Sequence, residues 1–117
     1  MRFGQHTLTT AIVDTGAPWC ILDPDMAVLI ASHEKEETGN IRLIVRGDTF
    51  DGELYRIPVT LTADEGENLT LDSTVFVPTL EQGVAWPHPN FLGLDGFLHR
   101  LRFAVDPEEN AFYFGVL

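Results

Sequence analysis

Ala11-Ile12-Val13-Asp14-Thr15-Gly16-Ala17 closes a short apolar run with a carboxylate, a hydroxyl and a glycine. The β-branched pair Ile12 and Val13 favours a strand, and the polar residues that follow favour a turn directly after it. Gly16 lets the backbone approach the Asp14 carboxylate closely, which a side chain would prevent. The tripeptide Asp-Thr-Gly occurs once in the chain. Any chemistry that needs two such carboxylates must therefore take the second one from elsewhere.

Length and composition indicate one globular domain that covers residues 1–117. Hydrophobic residues make up 44% of the chain, and no apolar run approaches the length of a membrane span. Eighteen acidic residues against seven basic ones give a net charge of −11, which argues against nucleic acid or an anionic membrane as a partner. The N-terminus lacks the basic-then-apolar pattern of a signal peptide, so we expect a cytoplasmic protein.

Cysteine and histidine usage bears on metal and redox chemistry. Cys20 is the single cysteine, so neither an intrachain disulfide nor a cysteine-based zinc site can form. Its neighbours Trp19 and Ile21 favour a buried, unreactive thiol. The histidines show no ligand spacing, so we expect no metal site. They are His6, His33, His88 and His99.

The hydrophobic pattern predicts a mostly β protein. Apolar and β-branched runs indicate strands, and clusters of Gly, Asp and Asn between them indicate turns. We predict strands at residues 7–13, 21–22, 41–45, 54–61, 69–77, 101–105 and 111–114. The predicted turns are at residues 46–52, 63–68 and 106–110. In the strand at 69–77 one face carries Leu69, Leu71, Ser73, Val75 and Val77.

Two short helices complete the prediction. Asp23-Pro24 has the pattern of an N-cap followed by proline at the first helical position. An apolar stripe continues this helix, which should fade within the charged residues 34–37 before Gly39. The stripe consists of Met26, Leu29 and Ile30. A second short helical segment follows Phe91-Leu92-Gly93.

Three features stand in a fixed order: Asp14-Thr15-Gly16-Ala17 after an apolar strand, a glycine-bearing hairpin in the middle of the chain, and Phe91-Leu92-Gly93 before a short helix. This order resembles the retropepsin-like aspartic proteases, the single-lobed family, and is most similar to their bacterial and retrotransposon-type members. The resemblance covers roughly residues 9–115. It implies an all-β fold, a closed β-barrel with two short helices.

The resemblance also implies roles for single residues near the start of the chain. Asp14 matches the catalytic aspartate of the family. Thr15 matches the hydroxyl that hydrogen-bonds across the dimer and fixes the two active-site loops. Gly16 and Ala17 match positions where the backbone approaches the substrate. Phe91-Leu92-Gly93 matches the packing motif that supports the active-site loop.

The middle of the chain corresponds to the flap, the hairpin that closes over a bound peptide in this family. Residues 42–55 lie at that position. The resemblance implies substrate contacts from four of them. These are Gly47, Asp48, Thr49 and Phe50.

The implied reaction is peptide-bond hydrolysis by two Asp14 side chains, one from each protomer of a homodimer. Two neighbouring carboxylates share one proton and titrate as a coupled pair. The ionised member takes a proton from water, and the protonated member polarises the scissile carbonyl. This chemistry needs no metal and no cofactor.

The sequence is compatible with two other functions. One is a catalytically silent module of the same fold that binds peptides or protein partners. The other is a narrow self-processing or regulatory protease without general activity. Asp95 is a further carboxylate, but it lacks a preceding strand and a following threonine. We expect it to cap a helix or to tie a neighbouring loop rather than to act as a second catalytic acid.

Overall fold

The computed structural model describes residues 9–28 and 35–117, and this part of the chain is mostly β-strand. Within it, one α-helix, α1 (Pro24–Val28), and one 3-10 turn at Leu98–Arg100 accompany the strands. The strands in chain order are β1 (Ala11–Val13), β2 (Cys20–Ile21), β3 (Lys35–Val45), β4 (Asp48–Leu61), β5 (Leu69–Pro78), β6 (Asn90–Leu92), β7 (Leu101–Asp106) and β8 (Ala111–Val116). The all-β prediction is confirmed.

Six strands form one sheet in the order β1-β6-β2-β5-β4-β3, and β7 pairs with β8 in a separate two-stranded sheet. The large sheet curls into a half-barrel. Its edge strands β1 and β3 do not pair with each other within the described residues, so the sheet is open there where the sequence predicted a closed barrel. The second predicted helix is the single 3-10 turn at Leu98–Arg100.

β6 comes late in the chain, yet it lies between the first two strands. Ile12 pairs with Phe91 in a parallel ladder, and Ile21 pairs with the same Phe91 in an antiparallel one. β2 then continues the sheet by parallel pairing with β5, where Cys20 lies opposite Val75. Two short strands from the start of the chain are therefore held by segments far along it. Closing such long loops costs entropy, so the arrangement depends on the apolar surface that it buries.

The central hairpin is tighter than the sequence predicted. Val45 pairs with Asp48, so Arg46 and Gly47 alone form the turn, with φ angles of 50° and 88°. Positive φ at both positions of a two-residue loop is typical of a type I′ turn, whose twist matches that of the paired strands. The prediction of a loop over residues 46–52 is wrong for residues 48–52. These residues form the start of β4 and pair with β3.

The first helix begins as predicted. The Asp23 carboxylate accepts a hydrogen bond from the Asp25 N–H at 2.9 Å, which satisfies one of the free donors of the first turn. Pro24 occupies the first helical position. The predicted stripe residues Leu29 and Ile30 lie outside the described residues.

β3 begins earlier than predicted. The sequence placed the fading end of a helix at residues 34–37 and a strand at 41–45, but the strand already starts at Lys35, opposite Tyr55 of β4. The ladder is irregular between Lys35 and Asn40. The helix prediction was wrong here because it used only the charged local sequence. Hydrogen-bonded pairing with the long strand β4 stabilises a strand at these residues.

The other strands lie close to their predicted positions. β1 is shorter than the predicted strand at 7–13, of which residues 7–8 lie outside the described part of the chain. β2 is shifted by one residue toward the N-terminus. β5, β7 and β8 match the predictions to within one or two residues.

Two apolar clusters cover opposite faces of the large sheet. Cys20 and Val75 belong to the first cluster, whereas the next residues, Ile21 and Phe76, belong to the second. Consecutive residues of a strand point to opposite faces, so the two clusters are separated by the sheet itself. The first cluster also contains the apolar residues of the predicted β5 face, which confirms that prediction. These are Leu69, Leu71, Val75 and Val77.

Gly93 follows β6 and passes directly against the loop after Asp14. A methyl group on its Cα would overlap the Trp19 carbonyl and would lie 2.9 Å from the Ala17 carbonyl oxygen. These are backbone atoms, which cannot move aside as the end of a flexible side chain can. The approach therefore requires glycine at this position.

We expect Gly93→Ala to lower the free energy of unfolding by about 3 kcal/mol, at the upper end of the range for overpacking substitutions. Gly115→Ala is the matched control, because a methyl group at Gly115 meets no atom within 4 Å. The control should change stability by less than about 0.5 kcal/mol. Urea unfolding of the two variants measures the difference, and equal stabilities would contradict the described packing.

Candidate active site

Asp14 is half-buried at the end of β1, and backbone hydrogen bonds fix its position. Its N–H donates to the Leu92 carbonyl at 3.0 Å, which joins the end of β1 to β6. Its Oδ1 accepts a hydrogen bond from the Gly16 N–H at 2.9 Å, and its carbonyl accepts one from the Ala17 N–H at 3.1 Å. The turn therefore orients the carboxylate with its own backbone.

The segment after β6 supports this turn. The Leu94 N–H donates to the Ala17 carbonyl at 3.0 Å, and the Asp95 N–H donates to the Pro18 carbonyl at 2.7 Å. Trp19 and Asp95 also form a parallel β-bridge. Asp95 thus ties a neighbouring loop through its backbone, and the role predicted for its carboxylate stays a prediction.

A cleft of about 180 Å³ opens beside Asp14. Its lining comes from three places: β1 with its following loop, the paired residues Ile21 and Phe91, and the end of β3 with the first turn residue. Residues 43–46 form the third part. Among the described residues that line the cleft, Asp14 is the one carboxylate and Arg46 the one cation.

Three of the site residues predicted near the start of the chain lie at this cleft. Asp14, Gly16 and Ala17 all line the cleft. Thr15 lies exposed on the turn between them. Its implied role, a hydrogen bond across a dimer, stays a prediction.

The predicted substrate-binding residues of the hairpin lie next to the cleft and not among the residues that line it. They are Gly47, Asp48, Thr49 and Phe50. The Phe50 ring packs edge-on against Trp86, with centroids 4.8 Å apart, and against His88 at 5.8 Å. The Asp48 Oδ2 atom is 3.8 Å from Nε2 of the nearly buried His88 side chain. These contacts anchor β4 to the loop before β6, and contact with a peptide stays a prediction for all four residues.

Sequence reasoning missed the residues through which the hairpin reaches the cleft. Leu43, Ile44 and Val45 line it from β3, and Arg46 lines it from the turn. The Arg46 guanidinium carbon lies 5.5 Å from the centroid of the Phe91 ring, a cation–π distance. The signal in the sequence was Gly47, since glycine at the second place of a two-residue turn would have put Arg46 at the tip.

Cys20 lies behind the loop that follows Asp14. Burial raises the pKa of its thiol to about 11, although a hydrogen bond from the Gly93 N–H to Sγ at 3.4 Å acts in the opposite direction. The buried thiol predicted from the sequence is confirmed. Its hydrogen bond adds a further contact between the loop and the segment after β6.

No protein-family model matches the chain, and comparison with curated proteins gives no match either. Within residues 9–28 and 35–117, no group of three His, Cys, Asp or Glu side chains stands where it could hold a metal ion. No helix in these same ranges combines the length and the apolar character needed to cross a membrane.

We expect the Cys20 thiol of the folded protein to react slowly with iodoacetamide at pH 8. A pKa of about 11 in place of 9.0 leaves about one hundredth of the thiolate at that pH, and the thiolate is the reactive form. The rate of alkylation should rise about tenfold for each pH unit between pH 8 and pH 10. Mass spectrometry of the alkylated protein, with and without urea, measures it. Equal rates for the folded and the urea-unfolded chain would refute the buried placement.

Proposed function

We propose that this chain is an aspartic endopeptidase of the retropepsin-like type, active as a homodimer. One observation carries the proposal: the Asp14 carboxylate, oriented by the Gly16 N–H at 2.9 Å, borders a cleft that the tip of a β-hairpin also lines. A carboxylate at the end of a strand, with a hairpin at the same cleft, suits a peptide bound there in extended form. The late Phe91-Leu92-Gly93 segment that supports the loop adds to the resemblance found in the sequence.

The proposed reaction uses the Asp14 side chains of two copies of the chain. The ionised carboxylate accepts a proton from a water molecule, whose oxygen forms a bond to the scissile carbonyl carbon. The protonated carboxylic acid gives its proton to the carbonyl oxygen, which produces a tetrahedral diol. One diol hydroxyl then loses its proton, the amide nitrogen gains one, and the C–N bond breaks. Each turnover returns one shared proton to the carboxylate pair.

A second copy is required because a single chain brings one carboxylate to the cleft from its described residues. The β7–β8 hairpin offers a surface for that contact. Its register places only apolar side chains on one face: Leu101, Phe103, Val105, Phe112, Phe114 and Val116. Leu101, Phe112 and Phe114 pack in or against the first apolar cluster, whereas Val105 and Val116 are 55% and 77% exposed. Covering such a patch with a second copy would remove apolar surface from water.

The alternative is a catalytically silent module of the same fold that binds peptides. The single carboxylate in the cleft favours it if the chain stays monomeric, because one aspartate cannot form the proton-sharing pair. The oligomeric state separates the two functions. A self-processing or regulatory protease without general activity would cleave one natural partner and leave unrelated peptides uncut.

We expect the wild-type protein to cleave extended peptides at mildly acid pH, and Asp14→Asn to lower the rate about 10³-fold, within the range of general acid–base catalysis. The rate should depend on pH as a bell, since one carboxyl must be ionised and the other protonated. Mass spectrometry of a mixed peptide library after incubation with each protein measures the cleavage rate and its dependence on pH. Equal cleavage by the two proteins, or none by a wild-type dimer, would refute the assignment of Asp14.

We expect Val105→Lys to shift the protein toward monomer, because a charge would be buried at the proposed contact. Val84→Lys is the matched control: Val84 is 53% exposed and lies in the loop before β6, outside the β7–β8 hairpin. Sedimentation equilibrium gives the dimer fraction, and specific activity should fall with it in Val105→Lys. A dimer that tolerates both substitutions equally would show that the β7–β8 face is not the contact.

A further inference from the structure

Arg46 holds an unusual position at the tip of the β3–β4 hairpin. It occupies the first place of a two-residue turn with φ of 50°, a conformation in which asparagine and glycine are favoured. The chain nevertheless carries a long cationic side chain there, beside the cleft that contains Asp14.

The Arg46 guanidinium is available to a ligand. Arg42, on the same hairpin, donates from Nε to the Asp51 carboxylate at 2.7 Å, and Arg100 donates to the Asp72 carbonyl at 2.7 Å. By contrast, no carboxylate among the described residues lies within 4.0 Å of the Arg46 guanidinium, which instead stands over the Phe91 ring. This is notable in a chain with eighteen acidic residues.

The surface next to Arg46 is apolar. Leu43 and Val45 line the cleft from the hairpin, and Ile12, Ile21 and Phe91 line it from the strands near Asp14. A peptide that extends past Asp14 would therefore place one side chain against an apolar wall and a neighbouring one near a cation. Arginine forms its strongest contacts with carboxylates, through charge-assisted and often paired hydrogen bonds.

We propose that Arg46 is a specificity-determining residue that selects peptides carrying a glutamate or aspartate side chain close to an apolar one. This inference rests on the proposed function, since it names the peptides that the same cleft would accept. The apolar side chain fills the wall formed by Leu43, Val45 and Phe91. The acidic side chain binds the Arg46 guanidinium, which the Phe91 ring holds in place.

The test compares peptides that differ in one side chain. One series of apolar peptides carries a single glutamate, at a different position in each peptide. A second series carries glutamine at the same positions. The wild-type protein should prefer the glutamate peptide at one position about fivefold in kcat/KM, as expected for an exposed ion pair. The preference should fall as salt is raised, because salt screens exposed charges.

Arg46→Asn is the decisive variant, because asparagine suits the turn and a loss of folding cannot explain its result. It should abolish the preference and leave the thermal midpoint equal or higher, while Arg46→Glu should reverse the preference toward a lysine peptide. Arg42→Gln, which removes the same charge from the same hairpin, should keep the glutamate preference. A glutamate-to-glutamine ratio that is the same in wild type and Arg46→Asn at every position would overturn the inference.

A binding measurement separates this inference from the proposed protease activity. Fluorescence anisotropy with labelled peptides on Asp14→Asn reports the glutamate preference without any cleavage. If the wild-type protein cleaves nothing but Asp14→Asn binds the glutamate peptide in an Arg46-dependent way, the protease proposal fails and the role of Arg46 stands. If peptides are cleaved with no effect of Arg46, the specificity inference fails alone. If no peptide binds, both fail.

Discussion

The contact of Gly93 with the backbone of residues 17–19 is the constraint on which the rest of the structure depends. Hydrogen bonds from Leu94 and Asp95 hold the same loop, and the Gly93 N–H donates to the Cys20 sulfur behind it. The turn that orients Asp14 therefore forms on a segment from the other end of the chain. Because the Asp14 N–H and the Ala17 and Pro18 carbonyls are paired with this later segment, the site is complete only when both parts of the domain are folded together.

The sheet separates two surfaces that the proposed enzyme would need. Ile21, Val45 and Phe91 line the cleft and belong to the second apolar cluster, whereas Phe112 and Phe114 of β8 pack against the first. The cleft and the β7–β8 hairpin thus lie in different packing environments. A substitution at the exposed edge of the hairpin should therefore change activity through the dimer fraction and not through the packing of the cleft, because additivity holds for residues without shared contacts.

Much of the fold could be predicted from the sequence, and the failures have identifiable causes. The turn at Asp14 and the apolar face of β5 follow from local residue types that agree with their surroundings. The start of β3 at Lys35 could not be predicted, because pairing with β4 determines it and no local pattern records that pairing. The position of Arg46 at the cleft was missed for a related reason. Gly47 favours a two-residue turn, but Gly52 and the two aspartates favour a longer loop equally well, and the strand register decides between them.

The net charge of the protein and the charge of the Arg46 side chain have opposite signs, and the distance over which each acts decides which one a peptide responds to. A net charge of −11 repels an acidic peptide at a distance, but the Debye length at physiological ionic strength is only about 8 Å. Most of that field is therefore screened before contact, whereas a carboxylate that touches Arg46 is within a few ångströms of one positive charge. The net charge acts mainly on the rate of encounter and the arginine on the lifetime of the complex. An acidic protein can in this way select acidic peptides, because discrimination depends on contacts made after encounter.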